Sequence, residues 1–185
     1  MKKCKKCKSK LKKEVYSLYE DRLLGIPGVY IRNAAVREYC PKCRRDESVI
    51  IPNLQGLVAA VAVHRVMLPL KLNPEEIVFL RKACEWPAKM VAEKLDVRPE
   101  TVSRWENGRE TMSPQSEKLF RLFVGDKLHR TARAISYDPQ AIGNMKLQPV
   151  SRQRLIMHFQ QQGQVTQTEQ ALWKEEKRYA YGGRR

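Results

Sequence analysis

Residues 90–108 read MVAEKLDVRPETVSRWENG and contain two short helical patterns joined by a tight turn. The first helix is predicted to begin at Pro87, because proline is tolerated in the first turn of a helix and disrupts its interior. Its predicted inner face carries Met90, Val91 and Leu95. Residues 96–98 form the predicted turn, since a second proline at position 99 opens the next helix. The stretch therefore predicts two helices that pack against each other across a three-residue turn.

The second of these helices, over residues 99–107, has a predicted buried face and a predicted exposed face. Val102 and Trp105 lie three positions apart and are expected in the core. The outward residues are Glu100, Thr101, Ser103 and Arg104. The Arg104 guanidinium has the geometry to pair with guanine O6 and N7, and the Glu100 carboxylate can accept from cytosine N4. A salt bridge between Glu100 and Arg104 on a solvated face is the alternative.

Helix-capping signals predict one further helix on each side of this pair. The start signals are Asn73, Pro74 and Glu76 for the earlier helix, and Ser113 and Pro114 for the later one. The earlier helix continues with Ile77, Leu80, Arg81 and Cys84, and the later one turns Leu119, Leu122 and Phe123 inward. Cys84 is expected to be a small buried apolar residue. Gly108 is well placed as the C-terminal cap of the helix over residues 99–107.

Residues 74–128, with the quoted run at their centre, closely resemble the helix-turn-helix of phage-repressor-type (XRE) transcription regulators. The resemblance implies an all-helical DNA-binding domain in which Ala92 lies at the close contact between helices. Family members often carry a glutamine near the start of the second helix that contacts a phosphate, and this sequence has Ala88 there. Lys89 or free backbone N–H groups are expected to make that contact instead. The expected DNA contacts are Arg98, Glu100, Thr101, Ser103, Arg104, Lys89 and Arg109.

Ahead of this domain stand two C-x-x-C pairs, Cys4 with Cys7 and Cys40 with Cys43, separated by 32 residues. Each pair can aim two thiolates at one ion, and two pairs complete a tetrahedral four-sulfur site that favours zinc or iron. A thioredoxin-like redox site needs one pair in a βαβ context, which the sequence does not indicate. We predict one structural Zn²⁺ ion per chain, because four protein ligands leave no open coordination position.

The segment between the cysteine pairs carries strand signals at residues 15–19, 29–31 and 36–39, with a turn at residues 25–28. A short β-hairpin closed by one ion is a zinc ribbon, which is the predicted form of this module. So few residues bury little core, and metal binding is therefore expected to supply much of the folding free energy.

A strongly apolar helix is predicted after the second cysteine pair, with Asn53 as its N-cap and Met67 near its end. Pro69 stops the helix, and residues 68–72 form a predicted short linker between two modules. Because the helix is apolar almost all round, it is expected to be buried in a core or in a subunit interface. His64 is expected to be a surface or interface residue rather than a metal ligand.

The 185 residues carry 36 Lys and Arg against 20 Asp and Glu, a formal net charge of +16. The excess is concentrated at the two ends, and eight lysines fall within the first thirteen residues. Such a field attracts a polyanion or an acidic protein, or it only keeps a basic arm solvated. No apolar run approaches the roughly twenty residues that cross a membrane, and no secretory signal follows the basic start, so a cytoplasmic location is expected.

A two-pair zinc module followed by this helix-turn-helix resembles the MqsA (YgiT-type) zinc-finger/helix-turn-helix antitoxin family. The resemblance spans Cys4 to about Leu128 and includes both cysteine pairs and residues 103–108. It implies a homodimer that represses its own operon through the helix-turn-helix, and a zinc module that docks a partner toxin, often an RNase. In this resemblance Glu100 and Arg104 take the base-reading positions.

Residues 132–185 lie outside both resemblances and are largely polar. One short amphipathic helix is suggested by Leu155, Ile156 and Phe159. A second is suggested over residues 168–179, which contain Leu172 and Trp173. A partly ordered tail, a dimerisation arm and a basic DNA-contacting extension are the three interpretations of this segment.

These patterns together predict an α+β protein with a small zinc-ribbon-like β module, an all-α helix-turn-helix bundle and a polar tail. The expected boundaries are 1–52 for the four-cysteine zinc-binding module, 53–72 for a helix and linker, 73–131 for the helix-turn-helix domain and 132–185 for a C-terminal extension. The favoured function is a dimeric repressor of a double-stranded DNA operator that is also the antitoxin of a type II toxin–antitoxin pair. The alternatives are a toxin-independent phage or mobile-element regulator and an RNA-binding zinc-ribbon protein. An enzyme is not predicted, because the sequence has no Ser/His/Asp set, no Gly-rich phosphate loop and three scattered histidines.

Overall fold

The computed structural model of the chain describes residues 2–150, 154–160 and 172–175. It confirms the α+β class, because a β region with the four cysteines precedes a helical region. The strands are β1 (Lys12–Val15), β2 (Leu18–Glu20), β3 (Val29–Arg32), β4 (Val36–Cys40), β5 (Arg45–Ile50), β6 (Leu155–Gln160) and β7 (Leu172–Glu175). The helices are α1 (Leu54–Met67), α2 (Pro74–Ala83), α3 (Ala88–Leu95), α4 (Pro99–Glu106), α5 (Pro114–Leu128) and α6 (Pro139–Asn144). No helix among the described residues has the length and apolar character needed to span a membrane.

A three-stranded antiparallel sheet in the order β1-β4-β5 carries the cysteine region. The strand predicted at residues 36–39 is confirmed as β4, whereas the pattern did not predict β5 on its other side. The strand predicted over residues 15–19 is two strands in two sheets, because the chain turns away from β1 at Tyr16, whose N–H donates to the Ala35 carbonyl at 2.9 Å. The predicted single hairpin is therefore too simple. The sheet contains β4, which leads into the second cysteine pair, and also β5, which follows that pair.

The second sheet has the order β2-β3-β6-β7 and joins the two ends of the described chain. β2 and β3 are antiparallel and are joined through the turn predicted at residues 25–28. β6 lies parallel to β3, with Leu155 opposite Val29 and Met157 opposite Ile31. The sheet packs against α1 through β7, and the Trp173 indole N–H donates to the Asn53 carbonyl at 3.1 Å. The two described C-terminal strands, β6 and β7, thus belong to the same sheet as β2 and β3 of the N-terminal region.

The helix predicted around Leu155, Ile156 and Phe159 is wrong, because these residues belong to β6. Leu155 and Met157 are buried and Ile156 is less so, which is the two-residue alternation of a strand. Pairing with β3, far away in sequence, decides the conformation of this segment. The second predicted helix, over residues 168–179, is contradicted at residues 172–175, which form β7. The other residues of that prediction lie outside the described part of the chain.

The apolar helix α1 forms the centre of the core, which is the first of its two predicted environments. Its N-cap is Asn53 as predicted, whose side-chain oxygen accepts from the Gly56 N–H at 3.0 Å. The buried core of α1 includes Leu57, Val61, Val63 and Val66, each 0% exposed. α1 packs against α5, α2 and β7, so it lies between the second sheet and the helical domain. His64 is half-buried, and its Nδ1 lies 3.0 Å from Glu175 Oε2 of β7.

Residues 68–72, predicted to be a short linker, are fixed by a fully buried ion pair on α5. Arg121 and Glu117 are 0% and 1% exposed, and Arg121 Nη2 lies 2.7 Å from Glu117 Oε1. Arg121 Nη1 also donates to the Leu68 carbonyl at 2.7 Å, and the Leu72 N–H donates to Glu117 Oε1 at 3.0 Å. The connection between α1 and α2 is therefore rigidly positioned, because its backbone groups are the hydrogen-bonding partners of the buried charges.

The inward face predicted for α5 is partly wrong. Leu119 is 39% exposed, whereas Phe120 and Val124 are 1% and 0% exposed and fill the core. Leu122 and Phe123 are half-buried against the core, as the pattern predicts in part. The side chains of Glu117 and Arg121 are buried, and their burial rotates the inner face of α5 by about one residue from the predicted face.

Candidate metal centre and nucleic-acid interface

Two backbone turns hold the four cysteines at the end of the first sheet. In the first turn the Lys8 N–H donates to the Cys4 carbonyl at 3.0 Å, and the Cys4 N–H donates to the Ser9 carbonyl at 2.8 Å. In the second turn the Cys43 N–H points at Cys40 Sγ at 3.4 Å. An N–H group directed at sulfur favours a thiolate there, as a metal site requires.

The four sulfur atoms of Cys4, Cys7, Cys40 and Cys43 all lie within 4.8 Å of one another. A tetrahedral zinc ion with Zn–S bonds of about 2.3 Å spaces its ligands about 3.8 Å apart, so this cluster matches a four-sulfur zinc site. Cys4 and Cys40 are fully buried, and Cys7 and Cys43 are half-buried, so the ion would be largely shielded from water. The predicted cysteines are thus brought together, as the ligand set of a structural ion requires.

Neighbouring groups shift the pKa values of two of the cysteines in opposite directions. Donation from the Ser9 hydroxyl lowers the pKa of Cys7 to about 6. The hydrogen bond with Cys7 raises the pKa of Cys43 to about 12. The crowded sulfurs therefore oppose full ionisation of the set on their own, and a dication at the centre would supply the missing positive charge.

Glu47 is a neighbour of the metal centre that the sequence did not indicate. Its Oε1 lies 3.2 Å from Cys4 Sγ, and Glu47 is half-buried in β5. β5 itself was not predicted, so no local pattern could place this carboxylate beside the cysteines. Cys84 lies away from the cluster, at the end of α2, and is 2% exposed. Its predicted burial is confirmed, and that burial raises the pKa of the thiol to about 12.

The pair α3 and α4 has the helix-turn-helix geometry that the sequence predicts. Asp96 ends α3 in the left-handed conformation with φ 51°, and the Val97 N–H donates to the Ala92 carbonyl at 3.0 Å. α4 begins at Pro99, as predicted. Ala92 is 1% exposed, in agreement with a close approach between helices. Met90 is 38% exposed instead of facing inward, because Ala92 takes its place beside the other two inner residues of α3.

The exposed face of α4 carries the residues predicted for base contacts. Val102 and Trp105 are 0% and 3% exposed and anchor the opposite face in the core. Glu100, Ser103 and Arg104 are exposed, and Thr101 is half-buried. The predicted alternative, a Glu100–Arg104 salt bridge, is not observed among the ion pairs of the described residues. Arg104 Nε instead lies 3.2 Å from Glu110 Oε2, in a pair that is about half exposed and therefore weak.

The other residues predicted to contact DNA are also at the surface of this region. Arg98 is the N-cap residue of α4, and Arg109 follows the end of that helix. Lys89 is in the first turn of α3, where its side chain is 81% exposed and lies 3.9 Å from Glu93. All three cations are exposed, so a phosphate can reach each of them without rearrangement of the core.

A buried ion pair that the sequence did not predict holds the end of α4. Arg81 of α2 donates through Nε and Nη2 to the two carboxylate oxygens of Glu106, at 2.5 and 3.1 Å. Its Nη1 donates to the Trp86 carbonyl at 2.9 Å, in the connection between α2 and α3. The pair thus joins three parts of the helical domain. The sequence placed Arg81 at helical spacing with apolar residues, but that spacing does not distinguish a shielded arginine from a solvent-exposed one.

The helix-turn-helix is the part of the chain that a family model matches. Residues 79–123 match a family model described as Helix-turn-helix (HTH_3), and this range extends from α2 into α5. No curated protein and no solved structure matches the chain. The match does not extend to the cysteine region. Together with the exposed polar face of α4, it identifies residues 79–123 as an XRE-type helix-turn-helix, which supports a DNA-binding regulator.

Proposed function

We propose that this protein is a sequence-specific transcriptional repressor that binds a double-stranded operator as a homodimer. The observation that supports it most is the exposed face of α4, held by Val102 and Trp105 on one side and by the Arg81–Glu106 pair at its end. A rigid helix with exposed polar residues near its start is suited to the major groove. A helix-turn-helix of this kind also favours a regulator over an enzyme.

The chemistry of each exposed side chain decides whether we assign it to a base contact or to a phosphate contact. Arg104 reads guanine through its two-pronged guanidinium, after its weak pair with Glu110 opens. Glu100, Thr101 and Ser103 contact neighbouring base edges or the sugar-phosphate backbone. Lys89, Arg98 and Arg109 contact phosphates, which position the helix without reading sequence.

Gel shifts with the DNA upstream of the protein's own gene test this proposal. We expect that fragment to bind at least a thousand-fold tighter than random DNA of the same length, as specific regulators do. Equal affinity for the two fragments would contradict sequence-specific binding. Lys146→Ala is a suitable control variant, because Lys146 is exposed after the end of α6, outside α3, α4 and α5.

The homodimer is proposed to form through α5. The apolar helix α1, expected in a core or in a subunit interface, is enclosed in the core, while α5 has Leu119 39% exposed. An apolar side chain at the surface of a regulator's last domain helix is suited to a self-complementary contact. Light scattering of wild type and Leu119→Lys tests this. A dimer for the first and a monomer for the second would support the interface, and the same mass for both would contradict it.

We propose in addition that the protein is an antitoxin whose zinc module binds a partner toxin. The order of modules, with two C-x-x-C pairs ahead of the helix-turn-helix, supports this role through the likeness to MqsA-type antitoxins. A toxin-independent regulator is the competing role. Purification from the native host followed by mass spectrometry separates them. A small stoichiometric partner that is lost in the Cys40→Ser variant, which lacks one cysteine of the zinc module, supports the antitoxin role, whereas purification without a partner contradicts it.

A further inference from the structure

The end of the first sheet, where the two cysteine turns meet, is densely cationic. Because the four sulfurs lie within 4.8 Å of one another, the residues beside them in the two turns form one surface, which we call the cysteine tip. Its exposed cations are Lys5, Lys6, Lys8, Lys42 and Arg44. None of these five has an ion-pair partner among the described residues. The tip therefore has positive charge that the protein itself does not neutralise.

Apart from Glu47, whose Oε1 lies 3.2 Å from Cys4 Sγ, the acidic groups near the tip pair with cations outside it. Glu38 is buried and lies 2.8 Å from Lys2 Nζ and 3.5 Å from Lys13 Nζ. Glu14 and Asp46 both pair with Arg37, at 2.7 and 3.5 Å. These carboxylates thus stabilise the sheet and leave the cations of the tip available to a ligand. Four thiolates, a zinc ion and the Glu47 carboxylate would together contribute a charge of about −3, which is smaller in magnitude than the charge of the five cations.

Two of the five cations occupy strained backbone positions. Lys8 has φ 60° and Arg44 has φ 52°, and each directly follows the second cysteine of its pair. The left-handed conformation favours glycine, so a long charged residue there costs stability that glycine would not. The same costly choice occurs in both turns. Because both turns carry a cation where glycine would be more stable, we infer that the positive charge at these positions has a function.

The charges favour a phosphate backbone over stacked bases. Four of the five cations are lysines, which bind phosphate as point charges and do not read sequence. The Arg37 guanidinium lies 4.6 Å from the Tyr39 ring centroid and 5.6 Å from that of Tyr16, and both tyrosines are half-buried. Recognition of single-stranded RNA relies on open aromatic faces, whereas a cation already occupies one face of each of these rings. The partner that fits is duplex DNA, which the helix-turn-helix also binds in the proposed function.

We propose that the cysteine tip is a second, sequence-independent DNA contact, which binds phosphates while α4 reads the bases. This inference rests on the proposed DNA binding, although it assigns a separate surface. It is also distinct from the proposed toxin contact, because it concerns the cations of the tip and predicts an effect on DNA without any toxin present.

The test uses the zinc-loaded full chain and a duplex of unrelated sequence, with the affinity measured at several salt concentrations. The main variant, Lys8→Gly with Arg44→Gly, removes two charges and relieves two strained positions. We expect the slope of log affinity against log salt to become shallower by about 1.8. If the two proteins bind equally at 1 M salt, the variant should therefore bind roughly 60-fold more weakly than wild type at 0.1 M salt. We also expect thermal stability equal to or above that of wild type. Weaker binding by a protein that is no less stable would separate charge from folding.

The matched control is Arg133→Ala with Lys146→Ala, which removes two exposed charges outside the tip, α4 and α5. Its slope should remain at the wild-type value. If the main variant lost zinc or stability, Lys5→Gln with Lys6→Gln would replace it, because these residues are not in left-handed conformations. An unchanged slope for the tip variant that keeps its zinc would overturn the proposal. Tighter wild-type binding to single-stranded RNA of equal length, with the variants affecting only RNA, would also overturn it.

Arg104→Ala distinguishes this inference from the proposed function itself. That variant should lose the preference for the operator and retain its response to the tip substitutions. If wild type showed no preference for the operator but the tip variant still lowered the slope, the repressor proposal would fail and the tip contact would stand. If the operator preference was present and the tip variant left the slope unchanged, the repressor proposal would stand and the tip contact would fail.

Discussion

Arg81 of α2 and Glu106 of α4 form a two-pronged ion pair, with Nε to Oε1 at 2.5 Å and Nη2 to Oε2 at 3.1 Å. Both side chains are about 15% exposed, so most of the pair is shielded from water. Its position at the last residue of α4 means that this helix cannot rotate without breaking the pair. The orientation of the exposed face of α4 therefore depends on a contact with α2.

Replacement of one partner of this pair should destabilise the protein more than replacement of both. We expect Arg81→Met to lower the free energy of unfolding by about 3 kcal/mol, because Glu106 then remains as an uncompensated shielded charge. The double variant Arg81→Met with Glu106→Leu should recover most of the loss. Guanidinium chloride unfolding measures both effects. A double variant as unstable as the sum of its two single variants would contradict this explanation.

The Arg121–Glu117 pair should matter for the connection between α1 and α2. Arg121→Met should lower the free energy of unfolding by about 3–5 kcal/mol, because the Glu117 carboxylate and the carbonyl of Leu68 lose a fully buried partner. Gln115→Ala, at an exposed position in the first turn of the same helix, should change it by less than about 0.5 kcal/mol. Chemical unfolding of both variants measures the difference. Similar losses for the two would mean that the buried pair does not hold the connection.

Loss of one of the four clustered sulfurs should unfold the cysteine region and spare the helical domain. Cys40→Ser should reduce bound zinc from one ion per chain to nearly none at ordinary buffer concentrations, since the site needs four thiolates. Metal analysis and amide NMR spectra measure the two consequences. Cys84→Ala is the control and should retain a full equivalent of zinc, because Cys84 is not among the clustered sulfurs. Full zinc in the Cys40→Ser protein would rule out the four-sulfur site.

The buried Cys84 thiol should make the protein less stable at alkaline pH. Burial raises its pKa from 9.0 to about 12, so an unfolded chain releases this proton at a lower pH than the folded one. The contribution is therefore complete below about pH 9 and is lost as the pH rises from 9 towards 12. Between pH 8 and 11, the free energy of unfolding should fall less steeply with pH for Cys84→Ala than for wild type. Parallel curves would show that this thiol does not contribute.

Local signals in the sequence were sufficient where the structure depends on neighbours along the chain. Asn53 and Asn73 cap their helices as predicted, because an N-cap side chain bonds an N–H three residues away. The cysteine spacing and the two faces of α4 were also correct, since each follows from a short repeat.

The remaining features depend on partners that are distant in sequence. β6 pairs with β3 across more than a hundred residues, and its apolar spacing fits a helix about as well as a strand. Glu117, Arg121 and Glu47 are buried or half-buried charges, whose partners are backbone carbonyls, an N–H group and a thiol that composition does not reveal. Residues of these types are predicted at the surface by default, and tertiary structure overrides that default.

The central claim, that α4 reads bases through Arg104, is tested most directly by a coupling measurement on the operator. Affinities are measured for wild type and Arg104→Ala, on the operator and on an operator with the contacted guanine replaced. We expect Arg104→Ala to cost about 1–3 kcal/mol on the operator and almost nothing on the altered one, because the lost contact is already absent there. Equal losses on both duplexes for every guanine tested would contradict base reading by this helix.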